Sequence, residues 1–495
     1  MNLTKRVIAA AVCIVMALWA LLTAKTMQPA ILQEEKQSPD SLIVWYTDDS
    51  LTDYMEAASV AYNEMYGVRV LPRLQSGDEY LEHINEASIL DDGMPDLYVI
   101  TNDMLERAYL GGLAVKADNL VVNENHFSKA ALEAVTYRDN PVAYPFYFET
   151  SAMLYNRSYL YEMAQNQLMA ESSTEPGEEE TEDEEETEAD PDEGLSDEEK
   201  IERRINEALP DTFDELLEFA DTYDAPMNVE TVFKWDVKDI FYNYFFVGNY
   251  IDIGGENGDD SSIIDIYNME AITALTIYQD LNQFFSFDYE DISYDSVLEE
   301  FIEGKMVFTT ATSDAIGRLE QAKKDGTFEY EYGVTLIPKL SDNLISRSMS
   351  VTNTVAVNGY TKQKDKAESF AKFLTIYKAP ELYTTTGKLS ACNTVTYEDP
   401  SIQAFVTEYS QSRPVPKMMA TSNYWLQAEI TFSNIWAGRS VSEQLKQLSE
   451  QIKEQVTGME ISEDYIDVPK QNEDEIQYYD EDAEREAAQE ENEQN

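Results

Sequence analysis

The most informative side chain in this sequence is an acid within a run of apolar and aromatic residues. Residues 142–160 read VAYPFYFETSAMLYNRSYL, and Glu149 follows Tyr147 and Phe148 and precedes Ser151 closely. A carboxylate in such a run is costly to bury unless it has a partner or binds a ligand. Carboxylates accept hydrogen bonds from hydroxyl groups, and aromatic rings pack on apolar faces. This combination of residue types therefore suits a sugar-like ligand.

Several other aromatic, amide and charged side chains could line a site of the same kind on chemistry alone. They are Phe148, Trp235, Lys238, Asn353, Asn423 and Tyr424. A glycosidase would need a pair of acids that flank one bond. The acids of this sequence are dispersed, and no motif concentrates two of them, so a glycosidase is disfavoured.

The counts of histidine and cysteine exclude two further kinds of site. The chain has two histidines and two cysteines. A His-dependent catalytic triad and a Cys-rich zinc site would both need more of these residues in defined patterns. The sequence therefore predicts a binding protein that has no catalytic residue, no metal site and no cofactor.

Alternating strands and helices must position these side chains. Apolar strands are predicted at 42–46, 68–74 and 95–100, with amphipathic helices at 51–66 and 80–90 between them. This β-α-β-α-β order predicts a parallel sheet with helices on its faces. Trp45 falls within the first strand and is expected in the core.

The later part of the chain shows the same alternation. Further helices are predicted at 268–285, 297–302, 366–377, 425–436 and 441–456, and strands at 304–308, 332–337 and 354–357. Thr212, with Glu215 three residues later, predicts a capping box at the start of another helix.

Charge is distributed unevenly along the 495 residues, whose net charge is -61. A chain this acidic is repelled by nucleic acid and by anionic lipid. Residues 165–208 and 458–495 hold many of the acids and few aliphatic residues, which predicts an acidic disordered insert and an acidic disordered tail. Residues 1–24 have a basic start and an apolar run, as in a signal peptide or membrane anchor, and 25–41 read as a linker.

Short motifs recur in a fixed order along most of the chain. They are Ala143-Tyr144-Pro145, Glu149, Tyr155-Asn156, Arg157, Met94-Pro95-Asp96, Gly304-Lys305 and Gly438-Arg439. With these motifs, the chain from about residue 42 to about residue 452 resembles the extracellular solute-binding proteins of ABC importers, above all the maltose/maltodextrin-binding type. In that family the first of these motifs is a hinge segment that leaves one lobe and enters the other.

The resemblance implies an α/β fold of the periplasmic-binding-protein type II. Two lobes, each a mostly parallel sheet flanked by helices, are joined by hinge strands. Lobe 1 would comprise 42–148 and 338–398, and lobe 2 would comprise 149–337 and 399–457. A monomer of this kind binds a carbohydrate in the cleft between the lobes, closes around it and delivers it to ABC permease subunits.

The resemblance also implies individual ligand-binding residues. Asp49, Asp103, Glu149 and Trp425 occupy positions of the family's sugar-binding residues, beside the Tyr147, Trp235 and Tyr424 named above. Asp49 and Asp103 could instead be helix N-caps, and Trp425 could pack between helices. The chain departs from the family's binding-site pattern at four positions, and from its hinge motif at Arg157, where the family has a lysine. The four binding-site positions are Ser50 in place of a lysine, Met104 in place of an arginine, and Ile100 and Ser313 in place of aromatic residues.

The N-terminal segment leaves the mode of attachment open. The only nearby cysteine, Cys13, lies inside the apolar run rather than after a small-residue lipobox. The chain is therefore expected to be exported, either as a secreted protein or held at the extracellular face by an uncleaved anchor. An alternative is a membrane-tethered ligand-sensing or adhesion module of the same fold.

Overall fold

The computed structural model describes residues 41–466 apart from 92, 174–191, 193 and 286–291. Its strands are β1 (Leu42–Tyr46), β2 (Val70–Leu74), β3 (Leu97–Thr101), β4 (Thr136–Tyr137), β5 (Asn140–Pro141), β6 (Tyr144–Asn156), β7 (Thr231–Phe233), β8 (Asp252–Ile253), β9 (Ile264–Asp265), β10 (Met306–Thr312), β11 (Tyr332–Thr335), β12 (Met349–Val357), β13 (Leu389–Ser390) and β14 (Arg413–Pro414).

The α-helices of the described residues connect these strands and cover their faces. They are α1 (Thr52–Tyr66), α2 (Tyr80–Leu90), α3 (Leu105–Leu110), α4 (Lys129–Val135), α5 (Arg157–Ser173), α6 (Asp197–Glu207), α7 (Phe213–Thr222), α8 (Ile240–Asn243), α9 (Met269–Phe285), α10 (Tyr294–Ile302), α11 (Asp314–Asp325), α12 (Lys364–Lys372), α13 (Leu382–Thr386), α14 (Pro400–Gln411), α15 (Tyr424–Trp436) and α16 (Val441–Thr457).

The first part of the chain forms a parallel sheet, as its alternation predicts. β1 pairs in parallel with both β2 and β3. α1 ends at Gly67, whose φ of 69° is the left-handed conformation that glycine adopts without strain. Trp45 is buried in this sheet, which confirms the prediction that it belongs to the core. Since parallel strands present their carboxyl ends at one edge, the loop after β1 opens at that edge.

β6 is a single strand of 13 residues that belongs to two groups of strands. Its first half, up to Thr150, pairs antiparallel with β12, which continues to β3 and the first sheet. Its second half, from Ser151, pairs antiparallel with β10 and β11. The strand order is β2-β1-β3-β12-β6-β10-β7. β6 is therefore the continuous connection between the sheet that contains β1 and the one that contains β10.

Helix α14 packs against β6 where its pairing changes. The rings of Phe148 and Tyr409 stack at 3.9 Å and 2°. Glu408, the preceding residue of the helix, is buried and accepts hydrogen bonds from Ile337 N at 2.7 Å and Ser348 Oγ at 2.9 Å. Burial raises the pKa of Glu408 to about 6, although both hydrogen bonds favour its charged form. α14 thus holds β6 and the chain between β11 and β12 together.

The ends of the acidic segment 165–208 are helical, which corrects the prediction of a disordered insert for these residues. α5 continues to Ser173, and α6 begins with a capping box between Ser196 and Glu199. Acids in the first turn of α6 interact favourably with the helix dipole, and Ile201 and Ile205 are buried. The high net charge of the segment led to the prediction of disorder, although its apolar residues recur at helical spacing. The middle of the segment, 174–191 and 193, lies outside the described residues.

Other differences from the predicted elements are local. Thr212 caps α7 through Glu215 N at 3.2 Å, but the Glu215 carboxylate accepts from Asp211 N at 2.7 Å instead of closing a capping box. The helix predicted at 366–377 is α12 followed by a π-helical turn, Phe373–Tyr377.

The two ends of the chain are described in part. Residues 458–466 have no helix or strand but are held against the fold, since Ile466 N donates to Tyr267 Oη at 2.8 Å and Glu463 pairs with Lys453 at 2.5 Å. This corrects the prediction of a disordered tail for those residues. Residues 1–40 and 467–495, with the predicted leader, the linker up to residue 40 and the remaining tail, lie outside the described part. Within the described part, no helix has the length and apolar character needed to cross a membrane.

Candidate functional site

A cavity of about 440 Å³ opens beside the midpoint of β6. Its walls come from four segments: the loop after β1, β6 itself, the turn from β10 into α11, and the turn from α13 into β13. The lining residues are Asp48, Ser50, Glu149, Thr312, Ser313, Asp314, Gly317, Tyr383, Thr386, Gly387 and Lys388. Both groups of strands that β6 connects therefore contribute side chains to one space.

Glu149 lines this cavity, two residues before Ser151, where the pairing of β6 changes. Successive residues of a strand face opposite sides. Phe148 stacks on α14, so Glu149 points away from that helix, on the same side as Tyr147. Its side chain is 44% exposed. Burial raises the pKa of Glu149, and the charges of Asp314 and Asp48 raise it further against the opposing effect of Lys388.

Lys388 connects the acids of one wall. Its Nζ lies 3.1 Å from Asp48 Oδ2 and 3.8 Å from Glu149 Oε1, and 5.5 Å from the centroid of the Tyr147 ring. The backbone reaches this position through Gly387, whose φ of 74° ends α13 in the left-handed conformation. The ammonium is therefore shared between two carboxylates above an aromatic face.

Asp48 is fixed by its own loop as well as by Lys388. Its Oδ1 accepts from Ser50 N at 3.0 Å and Ser50 Oγ at 2.6 Å. Burial alone would raise the pKa of Asp48, but the Ser50 hydroxyl and the Lys388 ammonium hold it below its ordinary value. Asp48 is consequently a charged acceptor with its partners already in place.

The opposite wall carries an acid surrounded by hydroxyl groups. Tyr294 Oη donates to Asp314 Oδ1 at 2.9 Å, and the Thr312 hydroxyl contacts both groups. The ring of Tyr294 stacks on that of Tyr242 at 4.8 Å. Arg318 lies over the Tyr294 ring at 5.7 Å and pairs with Asp295 at 2.6 Å. Asp314 is thus held by hydroxyl groups, at the start of α11.

One of the predicted site residues, Glu149, lines this cavity, and one predicted acid is displaced by a single position. Tyr147 is buried beneath Lys388 and does not line the cavity, which corrects the prediction that it faces a ligand. Asp49 is exposed and does not line the cavity, because the preceding residue, Asp48, turns inward and caps the short helical turn. Asp103 is exposed on the turn after β3 and does not line it either.

Trp235 and Tyr424 lie in the core, which corrects the prediction that they face a ligand. Trp235 is 0% exposed, and its Nε1 donates to Asn243 Oδ1 at 2.8 Å. Tyr424 is 1% exposed. Side chains enclosed in this way have no free face to offer a solute. Trp425 is partly exposed and packs edge-on against Tyr244 at 5.5 Å and Tyr424 at 4.8 Å; it does not line the cavity.

Sequence reasoning missed Asp48, Lys388, Thr312, Asp314 and Tyr294. Asp48 had a signal, since it adjoins the predicted Asp49. Asp314 follows the end of a predicted strand, which is a typical position for a ligand-binding side chain. Lys388 had no such signal, because it comes from a turn that is distant in sequence from β1 and β6.

The fold and the site can be compared with known proteins. Residues 57–407 match a protein-family profile described as bacterial extracellular solute-binding protein. No curated protein sequence matches the chain closely enough to count as a relative.

Solved structures with the same fold include three that contain bound saccharides. An extracellular solute-binding protein from Staphylococcus aureus in complex with maltose superposes with a TM-score of 0.67 and 17% identity, covering 85% of this chain and 99% of its own. A cyclo/maltodextrin-binding protein in complex with maltotetraose superposes with a TM-score of 0.67 and 18% identity, covering 86% of this chain and 100% of its own. MalX from Streptococcus pneumoniae in complex with maltopentaose superposes with a TM-score of 0.59 and 18% identity, covering 83% of this chain and 99% of its own.

Proposed function

The chain belongs to the bacterial extracellular solute-binding proteins, and we propose that its solute is a carbohydrate bound in the cavity beside Glu149. As a member of this family it is a non-enzymatic component of ABC import, with an α/β fold of the periplasmic-binding-protein type II. Membership also implies export.

The arrangement of acceptors and donors around Glu149 carries the proposal. A sugar presents adjacent hydroxyls, each of which donates one hydrogen bond and accepts others. The cavity offers carboxylate acceptors on both walls, in Asp48 and Asp314, with the half-exposed Glu149 between them. The Lys388 ammonium supplies donors. The saccharides bound by the structurally similar proteins support the same solute class.

We further propose that the solute draws the two lobes together about β6. With lobe 1 as 42–148 and 338–398, and lobe 2 as 149–337 and 399–457, Lys388 belongs to the first lobe and Asp314 to the second. A saccharide that contacts both would favour the closed form through its differential affinity. Closure is also the step in which the exposed Asp103 and the partly exposed Trp425 would reach the solute.

A thermal-shift screen followed by calorimetric titration tests the carbohydrate proposal. The panel contains neutral and amino-bearing di- and oligosaccharides, with putrescine and a tripeptide as other solute classes. A bound solute at 100 times its Kd stabilises the folded form by about 2.7 kcal/mol. We expect such a shift with a saccharide. Shifts confined to putrescine or the tripeptide would contradict the proposal.

The partner is tested separately. Delivery to a permease predicts that the exported protein co-purifies with ABC permease subunits from membranes cross-linked in the presence of the solute. Co-purification with a histidine kinase instead would favour the membrane-tethered sensor.

A further inference from the structure

We infer that the carbohydrate carries a protonated amine, and that the pair Glu149 and Asp314 receives it. This inference rests on the proposed function and names the class of saccharide within it. It comes from the balance of charge in the cavity and from the side chains that could otherwise hold a neutral sugar.

Negative charge predominates in the lining of the cavity. Three of the lining residues are carboxylates, Asp48, Glu149 and Asp314, and one is a cation, Lys388. The lysine lies closer to Asp48, at 3.1 Å, than to Glu149, at 3.8 Å. Asp48 is also the acid whose loop supplies two further donors. The Lys388 ammonium therefore offsets the negative charge of Asp48 more strongly than that of Glu149.

Asp314 has hydroxyl partners rather than a cation. Among the described residues no ion pair involves its carboxylate, and the nearby Arg318 pairs with Asp295 at 2.6 Å. Burial raises the pKa of Glu149, the charge of Lys388 lowers it, and repulsion from Asp314 and Asp48 raises it. Arg318 offsets the charge of Asp314 in part, without forming an ion pair with it. An ammonium placed between Glu149 and Asp314 would relieve this repulsion and gain charge-assisted hydrogen bonds from both.

The cavity offers little aromatic surface for the face of a neutral sugar. Tyr383 is the aromatic residue among the described lining residues. Ser313 lines the cavity at a position where the family resemblance predicts an aromatic ring, and Ile100, at another such position, is buried. Affinity must then come mainly from polar contacts, of which those between unlike charges are the strongest.

Anionic saccharides are disfavoured by the same charges. A carboxylate or phosphate on the solute would approach three acids in the cavity and a chain whose net charge is -61. A cationic solute is instead attracted, and its association is accelerated at low ionic strength. An amine on a sugar ring thus combines the charge that the cavity lacks with the hydroxyls that its other groups accept.

A matched pair of disaccharides isolates the amine. Chitosan-derived glucosamine disaccharide and N,N′-diacetylchitobiose differ only in that the amines of the second are acetylated and neutral. Calorimetric titration at about pH 6, where an amine of this kind is protonated, measures both on the intact protein. We expect the disaccharide with free amines to bind at least about tenfold more tightly than the acetylated one. This ratio of the two Kd values should shrink as salt is added, because salt screens charge.

Two variants on one helix assign the effect to the cavity. Asp314→Asn removes an acid that lines it and is expected to lower the ratio several-fold. Asp325→Asn removes the same charge at the other end of α11, about 16 Å along the helix, and should leave the ratio unchanged. An equal loss with both variants would reveal only the general charge of the protein and overturn the assignment to Glu149 and Asp314.

The outcomes separate this inference from the carbohydrate proposal. Equal affinity for the two disaccharides, or a preference for the acetylated one, overturns the amine inference and leaves the carbohydrate proposal standing. Binding of putrescine in place of every saccharide overturns the carbohydrate proposal while confirming that the cavity selects an amine.

Discussion

Two carboxylates, those of Glu408 in α14 and Glu149 in β6, lie on opposite sides of the central strand. They differ in the number of their hydrogen-bonding and charged partners. Glu408, on the side of α14, is 2% exposed and accepts from Ile337 N and Ser348 Oγ. The side chain of Glu149, on the side of the cavity, is 44% exposed, and its one ion-pair partner among the described residues is the shared Lys388 ammonium at 3.8 Å. A buried acid with complete partners stabilises a fold, whereas an acid with incomplete partners at a cavity is available to a ligand.

The neighbouring residues 148 and 149 show the same contrast within one strand. Phe148 is enclosed against Tyr409 on α14, while Glu149 faces the cavity. The side of β6 covered by α14 is therefore part of the core, and the other side faces the cavity that we propose as the binding site. Substitutions on the covered side should change stability, and those on the open side should change affinity.

The largest effect is expected for Phe148→Ala. The substitution removes a buried ring that stacks on Tyr409 at 3.9 Å and leaves a cavity behind. The free energy of unfolding should fall by about 3–5 kcal/mol, measured by urea denaturation, while solute affinity at a temperature where the variant is folded changes little. A larger loss of affinity than of stability would contradict the assignment of stability to the covered side of β6 and of binding to the open side.

Glu408→Ala should have the next largest effect. It leaves the Ile337 amide and the Ser348 hydroxyl buried without an acceptor, and each lost partner costs about 1–3 kcal/mol. We expect the free energy of unfolding to fall by about 2–4 kcal/mol. The exposed Glu398→Ala, just before the same helix, serves as the control and should stay within about 0.5 kcal/mol. Equal stability of both variants would show that Glu408 does not brace the hinge.

Glu149→Gln should act on affinity instead. The amide keeps the shape of the side chain but loses the charge, so binding of the solute found in the screen should weaken by about 1.5–3 kcal/mol. Because burial and neighbouring acids raise the pKa of Glu149, its charge does not favour the folded form, and the melting temperature without ligand should not fall. Unchanged affinity together with a lowered melting temperature would assign Glu149 to the hinge alone.

The smallest expected effect is the pH dependence that Glu408 imposes on stability. Its pKa rises from an ordinary 4.5 to about 6 on folding, so the folded protein binds this proton more tightly than the unfolded chain. The contribution is full below about pH 4.5 and is lost as the pH rises through about 6, by roughly 2 kcal/mol in total. Unfolding free energies at pH 4.5 and pH 7 measure it.

Glu408→Gln isolates this contribution from that of every other titrating group. The wild type should lose roughly 2 kcal/mol more than the variant between the two pH values. Parallel pH profiles for the two proteins would show that Glu408 keeps its ordinary pKa in the fold.

The sequence alone determined the elements whose pattern is local. The apolar run of β1, the helical spacing of α1, its stop at Gly67 and the strand through Glu149 are each specified by neighbouring residues, because backbone preference and the alternation of faces act over a few positions. The family motifs placed Glu149 at the hinge for the same reason, since they are contiguous stretches of chain.

Only the tertiary structure decided which distant side chains meet Glu149. Lys388 and Asp314 line the same cavity as Glu149 because β13 and β10 pair with opposite halves of β6, and no local pattern encodes that pairing. Asp48 lines the cavity in place of the predicted Asp49, because these neighbouring side chains of the loop point in different directions. Trp235 and Tyr424 looked like ligand-binding residues until the packing of α8 and α15 enclosed them. An aromatic side chain has the same chemistry in a core and in a site, and the elements that cover it determine which of the two it serves.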